Sequence, residues 1–269
     1  RSFVFGSVMN KTTTPEAAAP QSLTRDDGAT IAYRRLPGKG PTASPGIVFL
    51  HGLMSDMDGD KALHVEAFCR GRNRAFVRFD YFGHGQSSGA FPDGTVGRWV
   101  DDALAVLDHL TEGPQILVGS SLGGWVMLCA AQRRPERIAG LIGMAAAPDF
   151  TEDLMPTLFT AAQKETLARD GRIELPSDYD DEPYVFTQRL LDEGRDHLVL
   201  RQPIAVNVPA RFIHGLKDAD VPWETSLRAV EALQSDEPGN PPSHAPYKDY
   251  LMGGIGDEKL VCDVTPAYS

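Results

Sequence analysis

Cysteine is scarce in this chain, which has only Cys69, Cys129 and Cys262 among 269 residues. Three widely spaced cysteines without a Cys-x-x-Cys pair indicate neither a disulfide framework nor a zinc site. Such usage is typical of reducing compartments, so we expect a cytoplasmic protein. Residues 1–22 also lack the uninterrupted apolar core of a secretory signal, and we interpret residues 1–21 as a flexible N-terminal tail.

The chain also has no net positive charge and no long apolar run. The formal net charge is −11, which opposes binding to nucleic acid or to anionic lipid, because both require a concentrated positive face. The longest apolar stretch, residues 138–148, is too short to span a bilayer. The length and the hydrophobic content of 42% are sufficient for one substantial core. We therefore expect a globular protein without a membrane span.

The apolar runs that are present alternate with helical patterns. Residues 22–35 predict a hairpin with Asp27-Gly28 at its turn. Apolar residues recur at helical spacing from Trp99 to Leu110. Strands are predicted at 47–50, 75–79, 115–118, 138–144 and 211–214. This β-α-β order predicts a mostly parallel, doubly wound α/β sheet, with residues 22–148 and 206–234 as its core.

Residues 149–205 differ in character from the predicted core. They are acidic and interrupted by prolines, with helices predicted at 154–169 and 184–193 and no alternation typical of a strand. Open α/β sheets bind ligands at the carboxyl ends of their strands, so this insertion is predicted to be a helical lid that shapes substrate choice. The alternative is an additional packing layer.

A serine lies between a predicted strand and a predicted helix. Gly119-Ser120-Ser121-Leu122-Gly123 has the Gly-x-Ser-x-Gly pattern, in which a sharp turn exposes the serine hydroxyl and glycines avoid collisions with the strand and the helix. Since the strand precedes and the helix follows, Ser121 is a candidate nucleophile, with Gly119 and Gly123 in supporting positions.

Acyl transfer by a serine also requires donors for the developing oxyanion. His51-Gly52-Leu53 follows the strand at 47–50, so the Leu53 amide is a candidate donor beside the amide of Leu122. Gly52 lets the backbone approach a substrate closely, and His51 is expected to brace this loop.

A third pattern follows the strand at 75–79. Asp80-x-x-Gly83-x-Gly85-x-Ser87 resembles the signature of enzymes with the α/β-hydrolase fold. More narrowly, the chain is similar to small bacterial esterases related to a mitochondrial abhydrolase-type depalmitoylase. The segments that carry this similarity are 49–56, 78–89, 97–99, 117–125, 147–153 and 220–223. The resemblance implies hydrolysis of small-molecule esters or acyl thioesters, including acyl glucuronides, without a metal or an organic cofactor.

The same resemblance implies a triad of serine, aspartate and histidine in that chain order. It makes Ser121 the nucleophile and Asp218 the acid. Asp220 is an alternative acid two residues further on, and Asp149 is another, with capping of the lid as its expected role.

The C-terminal segment, residues 235–269, departs from the family pattern. Its prolines between 238 and 246 deny a central strand its amide donors, so we expect no last strand and an exposed sheet edge. His244 is the candidate base, although the family position falls close to Lys248. The alternatives are recruitment of His84 or His51, or an appended non-native tail that leaves Ser121 without a base. The sequence thus predicts a serine esterase or thioesterase, with a catalytically impaired scaffold that only binds ligands as the alternative.

Overall fold

The N-terminal hairpin forms at the predicted turn. In the computed structural model, which describes residues 19–39, 44–175, 183–234 and 259–264, strands β1 (Gln21–Thr24) and β2 (Thr30–Leu36) pair antiparallel. Gly28 has a φ of 83°, and the Asp27 carboxylate accepts the Ala29 amide at 3.0 Å. The hairpin prediction is confirmed, with β1 starting inside the segment interpreted as tail.

The apolar runs form the centre of the main sheet. The remaining strands are β3 (Ile47–Leu50), β4 (Phe76–Phe79), β5 (Gln115–Ser120), β6 (Ile138–Met144), β7 (Arg172–Leu175), β8 (Tyr184–Thr187), β9 (Ala210–Gly215) and β10 (Lys259–Val264). Within the described residues the main sheet has the order β1-β2-β4-β3-β5-β6-β9-β10. Pairing is parallel from β4 through β9 and antiparallel at both edges. The mostly parallel sheet is therefore confirmed.

Helices follow the strands as the sequence pattern predicts. They are α1 (Asp60–Gly71), α2 (Val96–Leu110), α3 (Leu122–Arg133), α4 (Phe150–Asp153), α5 (Met155–Leu158), α6 (Ala161–Asp170), α7 (Gln188–Gly194) and α8 (Glu224–Gln234). Thr95 caps α2 by accepting the Arg98 amide, and α6 begins with a capping box between Thr160 and Gln163. Among the described residues, none of these helices has the length and apolar character needed to cross a bilayer.

Two apolar layers lie on opposite faces of the sheet. Successive side chains of β3 point to opposite faces of the sheet, and Val48 and Leu50 lie in the larger core. This core includes Trp99 of α2 and Trp125 of α3. Neighbouring positions such as Ile47 contribute to a smaller core that includes residues of α1. Strands buried on both faces explain the continuous apolar runs in the sequence.

The segment between β6 and β9 contains strands as well as helices. The helix predicted over 154–169 is divided into α5 and α6, and the one predicted over 184–193 begins only at Gln188. The expectation that this segment has no strand is wrong, because β7 and β8 pair antiparallel as a separate sheet. Ile173 and Phe186 bury one side of that pair. Arg-Ile-Glu-Leu in β7 does alternate between polar and apolar residues, but over only four positions, the shortest run that indicates a strand.

The last strand is also a correction to the sequence prediction. β10 pairs antiparallel with β9 over its whole length, from Lys259 opposite Gly215 to Val264 opposite Ala210. The prolines between 238 and 246 exclude a strand only where they stand, and they precede β10 in the chain. The β9 edge, which the sequence predicts to be exposed, is therefore covered by β10.

Candidate active site

Ser121 lies in a strained turn between β5 and α3. Its φ of 52° and ψ of −120° are unusual for a residue with a side chain, and such a conformation costs about 1–3 kcal/mol. The Met144 carbonyl accepts the Ser121 amide at 3.1 Å, and the Ser121 carbonyl accepts the Ala147 amide at 3.0 Å. These bonds hold the serine in a conformation that its own backbone preferences oppose.

The glycines around Ser121 are required by close packing. A Cβ at Gly119 would overlap the carbonyl of Gly123, and a Cβ at Gly123 would overlap the carbonyl of Leu50 at the end of β3. Larger residues at these two positions would push α3 away from the sheet. The tight Gly-x-Ser-x-Gly turn expected from the sequence is thus present.

The loop after β3 passes directly beside this serine. A methyl group placed on Gly52 would lie 3.4 Å from the Cβ and 3.9 Å from the Oγ of Ser121. Leu53 follows in this loop, and Leu122 is the first residue of α3, where backbone N–H groups have no acceptor within the helix. The structure therefore brings both candidate donor residues into the neighbourhood of the serine.

Side chains from β4 and the following turn hold this loop, residues 51–58, in place. Asp80 Oδ1 accepts the Met57 amide at 2.7 Å, and Arg78 Nη1 donates to the Met57 carbonyl at 2.9 Å. His84 Nε2 accepts the Met54 amide at 3.2 Å. Burial raises the pKa of Asp80, against the effect of the amides that it accepts. Sequence reasoning missed Arg78 and Asp80 as supports, although both lie in the segment that carries the family resemblance.

His51 and His84 are buried and already bonded. His51 Nδ1 donates to the Gly52 carbonyl at 2.8 Å, while its Nε2 lies 3.9 Å from Asp80 Oδ1. His84 places Nδ1 3.3 Å from the Phe82 carbonyl. Burial lowers the pKa of His51 to about 3, helped by the nearby His84, and burial lowers the pKa of His84 to about 4. Both rings are therefore neutral at pH 7, and a pKa so far below the operating pH is unfavourable for a general base.

The low pKa values of these two histidines predict that the folded protein loses stability in mild acid. Between pH 6.5 and about 4, histidine is protonated in the unfolded chain but stays neutral in the folded protein. The free energy of unfolding therefore decreases as the pH falls through this range. Each of the two rings is expected to lower the free energy of unfolding by about 1 kcal/mol between pH 7.5 and pH 5.5. Urea unfolding at these two pH values measures the loss. We expect His84→Gln to reduce the loss by about 1 kcal/mol, with the exposed His109→Gln as the control. An equal loss in all three proteins would contradict this assignment.

Asp218 lies in the turn that follows β9. Its Oδ1 accepts the amides of Asp220 at 3.0 Å and Val221 at 2.9 Å. Its Oδ2 lies 3.7 Å from Nε2 of the buried His214, which itself contacts the Val221 carbonyl at 2.9 Å. The carboxylate of Asp218 is thus oriented by backbone bonds and half-buried, whereas Asp220 is exposed.

Asp149 is committed to holding the ends of the segment 149–205 together. It has a φ of 59° and is fully buried. Its two carboxylate oxygens accept the amides of Val199 at 2.8 Å and Leu200 at 2.9 Å. Burial raises the pKa of Asp149, opposed by these two hydrogen bonds. Full burial and these two backbone hydrogen bonds, with Arg201 Nη1 3.5 Å from Oδ2, agree with the expected capping role.

Replacing Asp149 by Asn is expected to destabilise the fold. The amide side chain keeps one acceptor but turns an NH₂ toward the other backbone N–H, which leaves a buried donor unsatisfied at a cost of about 1–3 kcal/mol. Urea unfolding measures the change. Asp153→Asn is the matched control, because Asp153 is partly exposed and pairs with Arg201 and Arg228, and we expect a cost below about 1 kcal/mol there. Equal costs for both variants would exclude a special role for Asp149.

His244 and Lys248 lie outside the described residues. The assignment of the base therefore stays a prediction from the sequence. The described histidines nearest the strand ends are His51, His84 and His214, and each has a ring nitrogen bonded to a backbone group.

Comparisons with known proteins give the same family as the resemblance found in the sequence. The family model described as the alpha/beta hydrolase family matches residues 47–265. The mouse mitochondrial palmitoyl-protein thioesterase ABHD10 is 44% identical over 246 residues, covering 91% of this chain and 78% of that protein. The human ABHD10 is 43% identical over 216 residues, covering 80% of this chain and 69% of that protein.

Solved structures agree with this relationship. A crystal structure from Agrobacterium vitis S4 matches with a TM-score of 0.76 and 37% identity, covering 81% of this chain and 87% of that one. The structure of mouse ABHD10 matches with a TM-score of 0.71 and 42% identity, covering 80% of this chain and 84% of that one. The α/β-hydrolase fold expected from the sequence is therefore confirmed.

The expectation of a cytoplasmic protein is contradicted by these relatives. The mouse, rat, bovine and human proteins, at 43–44% identity, are all named as mitochondrial. The expectation rested on scarce, unpaired cysteines, which are compatible with any reducing compartment and do not single out the cytosol. With its strained serine turn, its mostly parallel sheet and these close relatives, the chain belongs to the alpha/beta hydrolase family.

Proposed function

We propose that this chain hydrolyses carboxylic esters or acyl thioesters through an acyl-enzyme on Ser121. The observation that carries the proposal is the strained conformation of Ser121, at φ 52°, next to the Gly52 turn. Strain of this kind persists only where the surroundings enforce it, and it is concentrated at functional sites. The mouse relative, at 44% identity, is named a palmitoyl-protein thioesterase, which supports the acyl thioester as a substrate class.

The reaction has two half-reactions. Ser121 Oγ attacks the acyl carbon while the base takes the hydroxyl proton, and the negative charge develops on the former carbonyl oxygen. The amides of Leu53 and Leu122 donate to that oxygen. The intermediate then expels the alcohol or thiol, which leaves with the proton from the base. Water, activated by the same base, attacks the acyl-enzyme and releases the carboxylic acid and free Ser121.

Asp218 is proposed as the acid that orients the base. Its support is the pair of backbone amides on Oδ1, which fix the carboxylate, while Oδ2 lies 3.7 Å from His214 Nε2, which is beyond hydrogen-bond distance. Asp220 is exposed and therefore less suited to this role. The base is proposed to be His244, because it follows Asp218 in the chain order of the family and because burial lowers the pKa of His51 to about 3 and that of His84 to about 4.

Residues 149–205 are proposed to form the lid over this site. The insert begins five residues after Met144, the last residue of β6, whose carbonyl accepts the Ser121 amide. It therefore leaves the sheet at the carboxyl ends of the strands, where the serine lies. Phe159 and Phe186 are both buried, with their rings 5.8 Å apart. These side chains therefore support the inner packing of the insert, and the acyl group is expected to meet other residues.

A second candidate is a catalytically impaired hydrolase that binds esters without turning them over. The observation in its favour is that His51, His84 and His214 are buried and bonded to other groups. This candidate becomes the better one if the C-terminal segment supplies no base.

Hydrolysis assays on the purified chain test the proposal. A short p-nitrophenyl ester and a matched acyl thioester are assayed with the unmodified chain and with Ser121→Ala, and mass spectrometry follows the acyl adduct on the peptide that contains Ser121. Turnover with an adduct on Ser121 supports the acyl-enzyme. Turnover that survives in Ser121→Ala would refute it, and the absence of turnover with retained ligand binding would indicate the impaired hydrolase.

A further inference from the structure

The loop after β3 contains a second strained residue, opposite the serine turn. Gly52 to Ser55 form a tight turn in which the Gly52 carbonyl accepts the Ser55 amide at 3.2 Å. Met54 occupies the third position of this turn with a φ of 52°. A turn of this kind favours glycine or asparagine at that position, because a Cβ is strained there. Methionine offers no side-chain hydrogen bond in compensation, so another group must hold the turn.

His84 supplies the bond that holds Met54. Its Nε2 lies 3.2 Å from the Met54 amide, while its Nδ1 lies 3.3 Å from the Phe82 carbonyl. The Nδ1 proton is therefore directed at the carbonyl, which leaves Nε2 as an acceptor for the amide. Rings of Phe91 and Trp99 pack against the imidazole at centroid distances of 5.1 and 5.3 Å. The imidazole is thus fixed in position, in orientation and in tautomer.

The turn that His84 holds also determines where the Leu53 amide points. Leu53 is the second residue of this turn, between Gly52, which lies against Ser121, and Met54, which is bonded to His84. A second attachment lies three residues further on, where Asp80 and Arg78 bind both polar groups of the Met57 backbone. The Met57 attachment fixes the end of the loop. The turn itself is held at its first residue by His51 Nδ1, which donates to the Gly52 carbonyl, and at its third residue by the bond from the Met54 amide to His84.

We infer that His84 is a positioning residue for the oxyanion site: its Nε2 holds the Met54 amide and thereby aims the neighbouring Leu53 amide at the developing charge. The inference rests on the proposed function, in which Leu53 is an oxyanion donor. Burial lowers the pKa of His84 to about 4, which keeps the acceptor nitrogen free of a proton at neutral pH. His84 does not touch the substrate, and it acts through the backbone.

Two substitutions separate this role from simple packing. In His84→Gln the side-chain oxygen reaches approximately where Nε2 stood, so an acceptor for the Met54 amide is retained. In His84→Asn the side chain is one methylene shorter, so its amide NH₂ falls where Nδ1 stood and donates to the Phe82 carbonyl, and its oxygen does not reach the Met54 amide. Loss of one oxyanion donor typically lowers turnover about a hundred- to a thousand-fold. We therefore expect His84→Asn to lower kcat about a hundred-fold with KM changed less than about three-fold, and His84→Gln to keep kcat within about five-fold of the unmodified chain.

Hydrogen exchange provides a readout that does not depend on activity. We expect peptides covering residues 51–57 to exchange faster in His84→Asn than in His84→Gln or in the unmodified chain, with unchanged exchange in α3. The exposed His109→Asn is the control. Equal exchange and equal kcat in the Asn and Gln variants would overturn the inference. Faster exchange in His84→Asn without any turnover in the unmodified chain would retain the role of His84 in the loop and reject the proposed hydrolase activity instead.

Discussion

Replacement of Ser121 by alanine is expected to lower the turnover of both ester and thioester by about a million-fold, since removal of the nucleophile in a serine hydrolase costs roughly 8 kcal/mol of transition-state stabilisation. The oxyanion donors and substrate binding remain, so a residual acceleration of about a thousand-fold over water is expected. The measurement is the steady-state rate with each substrate. KM is expected to change little, because the hydroxyl acts mainly in the transition state.

The chain offers a closely matched control for this substitution. Ser120 precedes Ser121, lies at the end of β5 and is buried. Ser120→Ala makes the same chemical change at the adjacent position. It is expected to keep turnover within about ten-fold of that of the unmodified chain. A similar loss in both variants would mean that turnover depends on the integrity of the turn rather than on the Ser121 hydroxyl. Melting temperatures of the two variants show whether either substitution has disturbed the fold.

The positions of the central strands along the chain were predictable, because a strand that is buried on both faces requires an apolar residue at nearly every position. The residues of β3 are buried on both sides, and a run such as Ile-Val-Phe-Leu can then contain only apolar side chains. The turn at Ser121 was predictable for a steric reason: Gly119 and Gly123 stand where any Cβ would overlap backbone atoms. In both cases the constraint acts on residues that are adjacent in the chain.

The supports of the loop after β3 could not be predicted, because their contacts join distant positions. Arg78 and Asp80 are more than 20 residues away from the Met57 backbone that they bind. For Asp149 a capping role was expected, but its partners, the amides of residues 199 and 200, were not. A charged residue within a strand shows no local pattern that reveals such a partner. The same limit applies to β10, whose direction in the sheet depends on its pairing with β9 and not on its own residues.

Replacement of His244 by alanine is the second prediction with a very large effect. If His244 is the base, its loss is expected to lower turnover about as much as the loss of Ser121, by roughly a million-fold, because the serine hydroxyl is a weak nucleophile without proton removal. Asp218→Asn is expected to cost about ten-thousand-fold, since the acid orients the base without receiving its proton. Lys248→Ala, at the family position for the base, is the control and should keep most of the activity.

The double variant Ser121→Ala, His244→Ala distinguishes a catalytic unit from two independent defects. Residues that act in one proton transfer are not additive, so the double variant should be no slower than either single one. Additive losses would show that His244 affects turnover by another route, such as folding of the C-terminal segment. If the unmodified chain is no faster than Ser121→Ala, no histidine reaches the serine. The strained turn at Ser121 and the braced loop at Leu53 would then form a site that binds esters without cleaving them.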